Sequence, residues 1–363
     1  MTVQYPAAPP ADARPDPRIT WTPEFPRLLR ALGSSLIVST YQAGLVACLR
    51  AAGDEIKAQY ARFRGPMGLA IDQGRLAVGV ATQVHVYHDV ARSMGQPAQR
   101  GADCSFLPFW AQTTGNIFIH ELAWAGPELW IVSARFSCLC TLQKGFNFVP
   151  RWRPPFVTAL APLDHCHLNG LALRDGRPRY VTAHGISDRP AGWRAHRAGG
   201  GVILDVDSGE PVARGLSMPH SPRWRNDTLW VLDSGRGALA AVDLDTGQVE
   251  HAATLPGYAR GLDFDGPYAF IGLSQIRQSA VFSEIPLLSR LTERFCGIQA
   301  VDLRTGQIVG TIRFEDPVQE IFSVLVLPRV RAPEIVHDEA RIGECFLVPE
   351  DAEAKSASDA PRP

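Results

Sequence analysis

The strongest constraint on the fold is a short motif with an apolar core that occurs six times along the chain. Its copies are PMGLAI (66–71), IHELAW (119–124), HLNGLAL (167–173), PHSPRW (219–224), ARGLDF (259–264) and EIFSVLV (320–326). Aligned on their apolar cores, they place at one shared upstream position Met67, His120, Asn169, His220, Arg260 and Phe322. Three copies carry a histidine at this position or within two residues of it. This repeat predicts a circular scaffold with a polar site at its centre.

A tight polar turn and a second β-rich run follow the motif, as in ELWIVS at 128–133 and TLWVLD at 228–233. These runs are short and end at turn-forming residues, which is typical of strands. A third element with a hairpin is clearest at 202–212, 241–249 and 300–308, where glycine occupies a turn position that needs positive φ. With a spacing of about 40 to 60 residues, the pattern predicts an all-β, six-bladed β-propeller. A β-sandwich or two barrels is the structural alternative, but neither predicts a sixfold repeat.

Six four-stranded blades can be completed only if strands from both ends of the propeller share one blade. The last motif, at 320–326, has no strands after it, whereas three N-terminal strands have no motif before them. Those strands are predicted at Ser35–Thr40, Ala43–Leu49 and Glu55–Ala61. We therefore expect a sixth blade made of the N-terminal strands plus a C-terminal inner strand, an arrangement that hides the edges of an open ring.

The propeller is expected to be a single domain spanning residues 25–328, because a closed ring does not divide into smaller cores. A short helix is expected at Phe25–Leu32 before the first strand. Residues 1–20 and 349–363 are rich in Pro, Ala, Asp and Ser and are predicted to be disordered tails. Residues 329–348 form a C-terminal extension whose place in the fold the pattern does not indicate.

Composition argues against several classes of partner. The 363-residue chain has a formal net charge of −1 and 45% hydrophobic residues, so neither a nucleic acid nor a membrane surface is implied. There is no apolar leader at the N-terminus and no apolar run of transmembrane length. Seven cysteines, an odd number in a large chain, are expected to be reduced thiols. These features predict a cytoplasmic protein.

Two long loops are expected on the same face of the ring as the starts of the motifs. They span 184–200 and 274–297, between the second and third strands of their blades. In a propeller this loop returns to the face where the innermost strand begins, and long loops on a rigid scaffold often carry binding sites. The motifs contribute to this face His120, His167, Asn169, His220, Arg260 and Glu320. The loops between the second and third strands of the blades, long and short, add Tyr41, Arg135, His184, Asp233 and Arg277.

Imidazoles from separate strands are a natural ligand set for a divalent transition metal, because neutral histidine nitrogens suit such ions. We predict His120, His167 and His220 as metal ligands, and His184 as a fourth ligand or a general base. Asp233 or Glu320 would act as base or as orienting carboxylate. A coordination position left open would polarise a carbonyl or activate water. The alternative for each histidine taken alone is a structural role, as a core residue with satisfied hydrogen bonds.

Arginines near the predicted mouth favour a small anionic substrate that carries carboxylate or phosphate. The predicted substrate-binding residues are Tyr41, Arg135, Asn169, Arg260 and Arg277. Ordinary surface ion pairs are the alternative role for the arginines. The chain contains no glycine-rich phosphate loop, no Gly-x-Ser-x-Gly elbow and no His-Glu-x-x-His motif. The reaction therefore stays open among hydrolase, lyase and oxidoreductase chemistry.

A second hypothesis is a non-catalytic propeller that binds a peptide, a protein partner or a small ligand. It would use the two long loops rather than the histidines. The second loop offers an apolar contact surface made of Phe282, Ile285, Leu287 and Leu288. This hypothesis predicts that partner capture depends on residues 278–292 and not on the imidazoles.

Six segments resemble an uncharacterised bacterial family of propeller-like proteins, a domain of unknown function. They are SLIVSTYQAG (35–44), PMGLAI (66–71), HELAW (120–124), CHLNGLAL (166–173), MPHSPRW (218–224) and ARGLDF (259–264). The resemblance covers nearly all of residues 25–328. At fold level the chain is similar to gluconolactonase and strictosidine-synthase-like six-bladed propellers, which implies a metal or a reactive polar site at the mouth of the channel. The gluconolactonase site is rich in oxygen ligands, and only Asn169, Asp233 and Glu320 could correspond to them here.

Overall fold

The chain folds into six small antiparallel sheets arranged in a closed ring, the predicted six-bladed β-propeller. The computed structural model describes residues 15–91, 101–275, 284–291, 295–337 and 339–343. The inner strands of neighbouring blades contact each other all the way round the ring. They begin at the six repeated motifs, so the repeat does mark the strand that lines the axis.

Before the first motif, the chain forms a short strand, a helix and three strands of one sheet. These elements are β1 (Ile19–Trp21), α1 (Glu24–Leu32), β2 (Ser35–Thr40), β3 (Leu45–Ala52) and β4 (Glu55–Arg62). Blade one follows with β5 (Leu69–Asp72), β6 (Arg75–Gly79), β7 (Gln83–Asp89) and β8 (Cys104–Thr113). Blade two contains β9 (Ile119–Ala125), β10 (Glu128–Ser133), β11 (Cys138–Thr141) and β12 (Val149–Trp152).

Blades three to five have the same four-stranded antiparallel plan. Blade three contains β13 (Leu168–Arg174), β14 (Arg177–Ala183), β15 (Gly201–Asp205) and β16 (Pro211–Leu216). Blade four contains β17 (Pro219–Arg225), β18 (Thr228–Asp233), β19 (Ala238–Val242) and β20 (Val249–Thr254). Blade five contains β21 (Tyr258–Asp265), β22 (Tyr268–Ser274), β23 (Gly297–Asp302) and β24 (Gln307–Phe314). The chain then continues into β25 (Ser323–Leu327), β26 (Pro333–Ile335) and α2 (Glu339–Ile342).

The sixth blade joins both ends of the propeller, as predicted. Strand β25 is its inner strand and pairs antiparallel with β2, in a register that runs from Ser35 opposite Leu327 to Ser39 opposite Ser323. The buried Ser39 hydroxyl donates to the Met67 carbonyl at 2.5 Å and accepts from the Ser323 amide at 3.1 Å. This one side chain therefore links the closing strand to the first blade.

Short strands cover the outer edges of two blades. Strand β1 pairs with β24 in blade five, and β26 pairs in parallel with β8 in blade one. The disorder predicted for residues 1–20 is therefore wrong for Ile19 and Thr20, which are held in the ladder of blade five. Residues 1–14 and 349–363 lie outside the described residues. Within the 329–348 extension, β26 and α2 provide the described secondary structure.

Helix α1 packs its apolar side on the outside of the sheets of the sixth and fifth blades. Phe25 and Leu29 are fully buried, and the Phe25 ring meets the Phe270 ring edge-on at 6.0 Å. The helix ends at Gly33, whose φ of 69° closes the last turn in the left-handed conformation that favours glycine. Among the residues that the structure describes, no helix is both long and apolar enough to cross a membrane.

Candidate functional site

Four histidines from blades two, three and four lie side by side at one place near the axis. His120 is in β9, His167 immediately precedes β13, His184 immediately follows β14, and His220 is in β17. The ring centroids are 4.7 Å apart for His120 and His167, 4.5 Å for His167 and His184, and 4.9 Å for His184 and His220. The structure thus brings together the three predicted ligands and the predicted fourth histidine. We call these four residues the histidine cluster.

The backbone at the starts of the inner strands explains how the cluster assembles. Two residues before the shared position of the motif, blades one to four have a residue with positive φ: Gly65, Phe118, His167 and Met218. Three of these four are not glycine, and such strained backbone is commonly found at functional sites. His120 and His220 therefore occupy equivalent positions, whereas His167 lies two residues earlier, at the left-handed residue itself. This offset lets blade three contribute a ring next to His120.

Hydrogen bonds fix the tautomers of two of the four rings. His167 Nδ1 lies 2.9 Å from Asp164 Oδ1 and 3.1 Å from Oδ2. His220 Nδ1 lies 3.0 Å from the Met218 carbonyl oxygen and 3.0 Å from Ser234 Oγ. A carboxylate and a carbonyl only accept hydrogen bonds, so both rings carry their proton on Nδ1 when neutral. Each therefore has its lone pair on Nε2, and that of His167 faces His120 Nε2 at 3.1 Å.

Three rings of the histidine cluster favour the neutral form. Burial is the main cause that lowers the pKa of His120, His184 and His220 well below the ordinary value, and nearby positive or protonatable groups lower it further. For His120 and His184 the next cause is His167, and for His220 it is Arg260. Neutral rings have lone pairs, so these three imidazoles can act as nitrogen ligands.

His184 has an unusual environment for a buried polar residue. Its side chain is 1% exposed, and neither ring nitrogen has a hydrogen-bond partner among the residues that the structure describes. Buried polar groups are nearly always paired, and each exception needs an explanation such as a bound ion, a water or a ligand. His184 lies between His167 and His220, so its unpaired nitrogens lie inside the cluster.

An arginine from blade five lies beside the cluster. Arg260 Nη1 donates to Glu320 Oε1 at 3.0 Å, and its guanidinium carbon lies 3.4 Å from the centre of the Phe322 ring. The Phe322 ring in turn contacts His120 edge-on at 5.3 Å and Tyr41 at 6.0 Å. Three residues assigned to the site from the sequence, Tyr41, Arg260 and Glu320, are therefore joined to the histidines through Phe322.

A second charged group links the inner strands of three blades. Arg223 of β17 forms two hydrogen bonds of 3.2 Å with the Glu121 carboxylate of β9. Asp263 of β21 adds a further electrostatic attraction for Arg223, and its Oδ2 accepts from the Val326 amide at 2.8 Å. Burial raises the pKa of both carboxyl groups, and Arg223 opposes that rise. We call Glu121, Arg223 and Asp263 the axial ion network.

Two predicted site residues, Asp233 and Asn169, use their side chains in other hydrogen bonds. Asp233 accepts from the Ser217 amide at 2.8 Å and bonds Arg236 and His251, so its carboxylate is directed away from the cluster. The Asn169 amide is used within blade three, with the Thr182 hydroxyl at 2.6 Å and the His167 carbonyl at 3.2 Å.

Arg135 donates to the Asn116 carbonyl at 3.1 Å, a backbone contact rather than a contact with the histidines. Arg277, predicted as a second substrate-binding arginine, lies outside the described residues. Of the arginines assigned to the site, Arg260 is therefore the one that the described structure brings to the histidine cluster.

The two long loops contribute buried apolar cover to this face. Trp193 lies in a short 3-10 helix at Gly192–His196, and its ring lies 4.6 Å from His167 and 5.0 Å from His184. It packs with an apolar group that comprises Met218, Tyr258, Ile285 and Leu287. The exposed apolar surface predicted for the second loop is thus wrong for Ile285 and Leu287, which are 2% and 0% exposed. Leu288 is 43% exposed, and Phe282 lies outside the described residues.

Asp164 contacts the histidine cluster through His167 and was not predicted from the sequence pattern. It lies three residues before His167, outside the repeated motif, and has a φ of 51°. An aspartate three residues before a motif histidine was the available clue, but only the left-handed turn makes the contact possible.

The donor set of the cluster fits a transition metal in chemistry, but its nitrogens are not arranged as a ready-made ligand set. Within the described parts of the chain, no group of three or more His, Cys, Asp or Glu side chains is positioned to hold a metal ion. His120 Nε2 and His167 Nε2 lie 3.1 Å apart. Two ligands on a tetrahedral zinc with bonds of about 2.0–2.1 Å lie about 3.3 Å apart.

Comparison with known proteins identifies a family but no activity. A family model described as "Domain of unknown function (DUF4915)" matches residues 23–336. No curated protein matches the sequence. A structure titled "Crystal structure of Nidogen/Laminin Complex" is similar with a TM-score of 0.50 and 11% identity, over 82% of this chain and 99% of that one. A protein of unknown function from Bacteroides caccae has a TM-score of 0.49 and 10% identity, over 81% and 98% of the two chains. At these identities, the likeness to the first structure supports the fold alone.

Proposed function

The chain belongs to the DUF4915 family, and we propose that it is a metal-dependent enzyme that acts on a small anionic molecule at the histidine cluster. The observation that carries this proposal is His184, a fully buried imidazole whose two nitrogens have no hydrogen-bond partner among the described residues. A divalent transition metal would use such a nitrogen, because neutral imidazole is a preferred ligand of these ions.

His120 and His167 would hold the ion first, since their Nε2 atoms are already 3.1 Å apart. His220 keeps its Nε2 lone pair because Nδ1 is engaged by Met218 and Ser234. His184 and His220 would complete the ligand set after rotation of their rings, or His184 would act as the general base. When bound, the ion would supply a Lewis acid or an activated water.

Arg260 would bind the anionic part of the substrate. Its guanidinium carbon lies 3.4 Å from the centre of the Phe322 ring and Nη1 bonds Glu320, so the group is oriented before a ligand arrives. A planar guanidinium suits a carboxylate or a phosphate better than a point charge does. Glu320 orients Arg260 in this proposal, which leaves Asp233 without a role at the site because its carboxylate is used by Ser217, Arg236 and His251.

The alternative, a non-catalytic propeller that captures a partner through the two long loops, has less support. Ile285 and Leu287 are buried against Trp193 and so are not free to contact a partner. A small-ligand site without a metal is the form of this alternative that the cluster still permits. We further propose a reducing, cytoplasmic setting, because the cysteines within the described residues are all free and buried.

The test is metal analysis of the full-length protein with matched variants. Protein purified without added metal is analysed by elemental mass spectrometry, then stripped with chelator and titrated calorimetrically with Zn²⁺, Mn²⁺, Co²⁺ and Ni²⁺. His120→Ala and His184→Ala should each weaken binding by at least about tenfold. His88→Ala is the control, since that ring packs on Phe109 in an outer strand. A wild-type protein that binds none of these ions, or variants that bind as wild type does, would refute the metal site.

A further inference from the structure

Asp164 makes contact with two residues of the site at once. Its backbone amide donates to the Arg135 carbonyl at 2.9 Å, which fixes the loop between β12 and β13. Its carboxylate lies 2.9 Å from His167 Nδ1, and Oδ2 also accepts from Trp193 Nε1 at 3.0 Å. One carboxylate therefore receives a hydrogen bond from a ring of the cluster and from the aromatic ring that covers it.

The contact with His167 determines which nitrogen of that ring is available. Because an ionised carboxylate can only accept, His167 carries a proton on Nδ1, and in the neutral ring Nε2 has the lone pair. That lone pair is directed at His120, whose Nε2 is 3.1 Å away. Without the carboxylate, the proton could move to His167 Nε2, and both Nε2 atoms of the pair would then compete to donate.

The contact with Trp193 fastens the cover over the same rings. Trp193 is 3% exposed, and its ring contacts His167 in a tilted arrangement at 4.6 Å and His184 edge-on at 5.0 Å. Its apolar neighbours pack against the ring, whereas the buried indole N–H also needs an acceptor in a defined direction. The bond to Asp164 Oδ2 provides that directional constraint, so the loop at 184–200 is held in place by the carboxylate that also holds a predicted metal ligand.

We propose that Asp164 is a positioning residue with two linked roles: it sets the Nδ1–H tautomer of His167 and it holds Trp193 over the histidine cluster. Its effect on metal affinity rests on the proposed function, whereas its effect on the tautomer and on Trp193 does not. A carboxylate behind a ligating imidazole both orients the ring and raises its basicity. The geometry therefore assigns to Asp164 the preparation of His167 for a ligand.

The experiment uses full-length, chelator-stripped protein labelled with ¹⁵N. Long-range ¹H–¹⁵N spectra report which nitrogen of His167 is protonated, and the indole signal of Trp193 reports its hydrogen bond. Wild type should show His167 with Nδ1–H. Asp164→Asn keeps the shape but has one acceptor oxygen for two donors, so it should shift His167 toward Nε2–H or displace the indole signal.

Two variants serve as controls. Asp188→Asn removes another carboxylate of this region, which bonds Thr158 rather than the cluster, and it should leave both signals unchanged. Trp193→Phe removes the indole donor but keeps a ring, so His167 should keep its tautomer. In calorimetric titration with Zn²⁺, Asp164→Asn should bind about 10- to 100-fold more weakly than Asp188→Asn. The two variants should have equal melting temperatures.

The outcomes separate this inference from the proposed function. If wild-type protein binds no Zn²⁺ but the tautomer of His167 still depends on Asp164, the positioning role stands and the metal proposal fails. If wild-type His167 carries its proton on Nε2, the inference is overturned without any variant, even if Asp164→Asn does not fold. It is also overturned if Asp164→Asn folds and leaves both the His167 and the Trp193 signals unchanged.

Discussion

The guanidinium carbon of Arg260 lies 3.4 Å from the centre of the Phe322 ring. Nη1 of the same group donates a 3.0 Å hydrogen bond to Glu320. Arg260 lies in β21, the inner strand of blade five, and Phe322 immediately precedes β25. They occupy the shared position of their motifs, and the same Phe322 ring touches His120. The Phe322 ring and Glu320 thus fix the orientation of the Arg260 guanidinium next to the histidine cluster.

Replacement of Arg260 by lysine should weaken the binding of small anions. Lysine keeps the positive charge but loses the planar fork and its stacking on Phe322, so at least one charge-assisted hydrogen bond is lost. We expect affinity for oxalate or inorganic phosphate to fall by about tenfold, which corresponds to a bond of roughly 1.5 kcal/mol. Calorimetric titration of the zinc-treated protein measures it. Arg135→Lys is the control, because Arg135 donates to a backbone carbonyl, and equal losses in both variants would contradict the role of Arg260.

Stability of the metal-free protein should decrease as pH falls below about 6.5. The folded state keeps His120, His184 and His220 neutral because burial lowers their pKa. In the unfolded chain the same side chains take up protons below about pH 6.5. Unfolding therefore binds protons in this window, and the free energy of unfolding falls by up to about 1.4 kcal/mol per pH unit for each such histidine.

Urea unfolding of chelator-treated protein between pH 7.5 and pH 5.5 measures this slope. His184→Gln removes one of the three groups and should make the slope shallower by up to about 1.4 kcal/mol per pH unit. His196→Ala removes an exposed imidazole from the same loop and should leave it unchanged. A slope that is the same in all three proteins would contradict neutral, buried histidines.

The architecture was predictable because two regularities of the sequence report on the ring directly. The repeated motif marks every inner strand, and a motif without following strands at 320–326 implies closure by β2–β4. Residues 15–20 could not be placed in the same way, since a three-residue edge strand such as Ile19–Trp21 depends on pairing with β24 rather than on its own pattern. The tertiary contact, not the composition of the tail, decides its conformation.

The site was predictable only in part, because shared register reports where a residue is and not what its side chain bonds. His184 and Asp233 both lie at the ends of second strands, yet His184 meets the cluster while Asp233 bonds Ser217, Arg236 and His251. Asp164 falls outside the motif, and its contact with His167 requires backbone with positive φ at both residues. Periodicity carries no information about such turns.

Loss of Glu121 should destabilise the protein strongly. The axial ion network is buried, so Glu121→Gln leaves Arg223 with a weaker counter-charge in an apolar surrounding. Removing one partner of a buried pair typically destabilises by about 3–5 kcal/mol, and Asp263 should keep the loss near the lower end. Urea unfolding measures it.

Two comparisons make that result specific to the buried pair. Glu128→Gln breaks an exposed pair with Arg151 and should change stability by less than about 1 kcal/mol. The triple variant Glu121→Leu/Arg223→Met/Asp263→Asn should recover much of the loss, because it removes all three buried charges and keeps an acceptor for the Val326 amide. Equal effects at Glu121 and Glu128 would mean that the network does not contribute as a buried pair.

Substitution of the small side chain of Ser39 should destabilise the pairing of β25 with β2 that closes the ring. The fully buried hydroxyl donates to the Met67 carbonyl and accepts from the Ser323 amide, so Ser39→Ala leaves two buried backbone groups without this partner. The expected loss in the free energy of unfolding is about 1–3 kcal/mol. Amide exchange in β25 should accelerate more than exchange in β13, since β25 is held to the ring through β2. Ser289→Ala removes an exposed hydroxyl and should change neither the free energy of unfolding nor amide exchange. If exchange in Ser39→Ala accelerated equally in all blades, the pairing of β25 with β2 would not be the least stable part of the propeller.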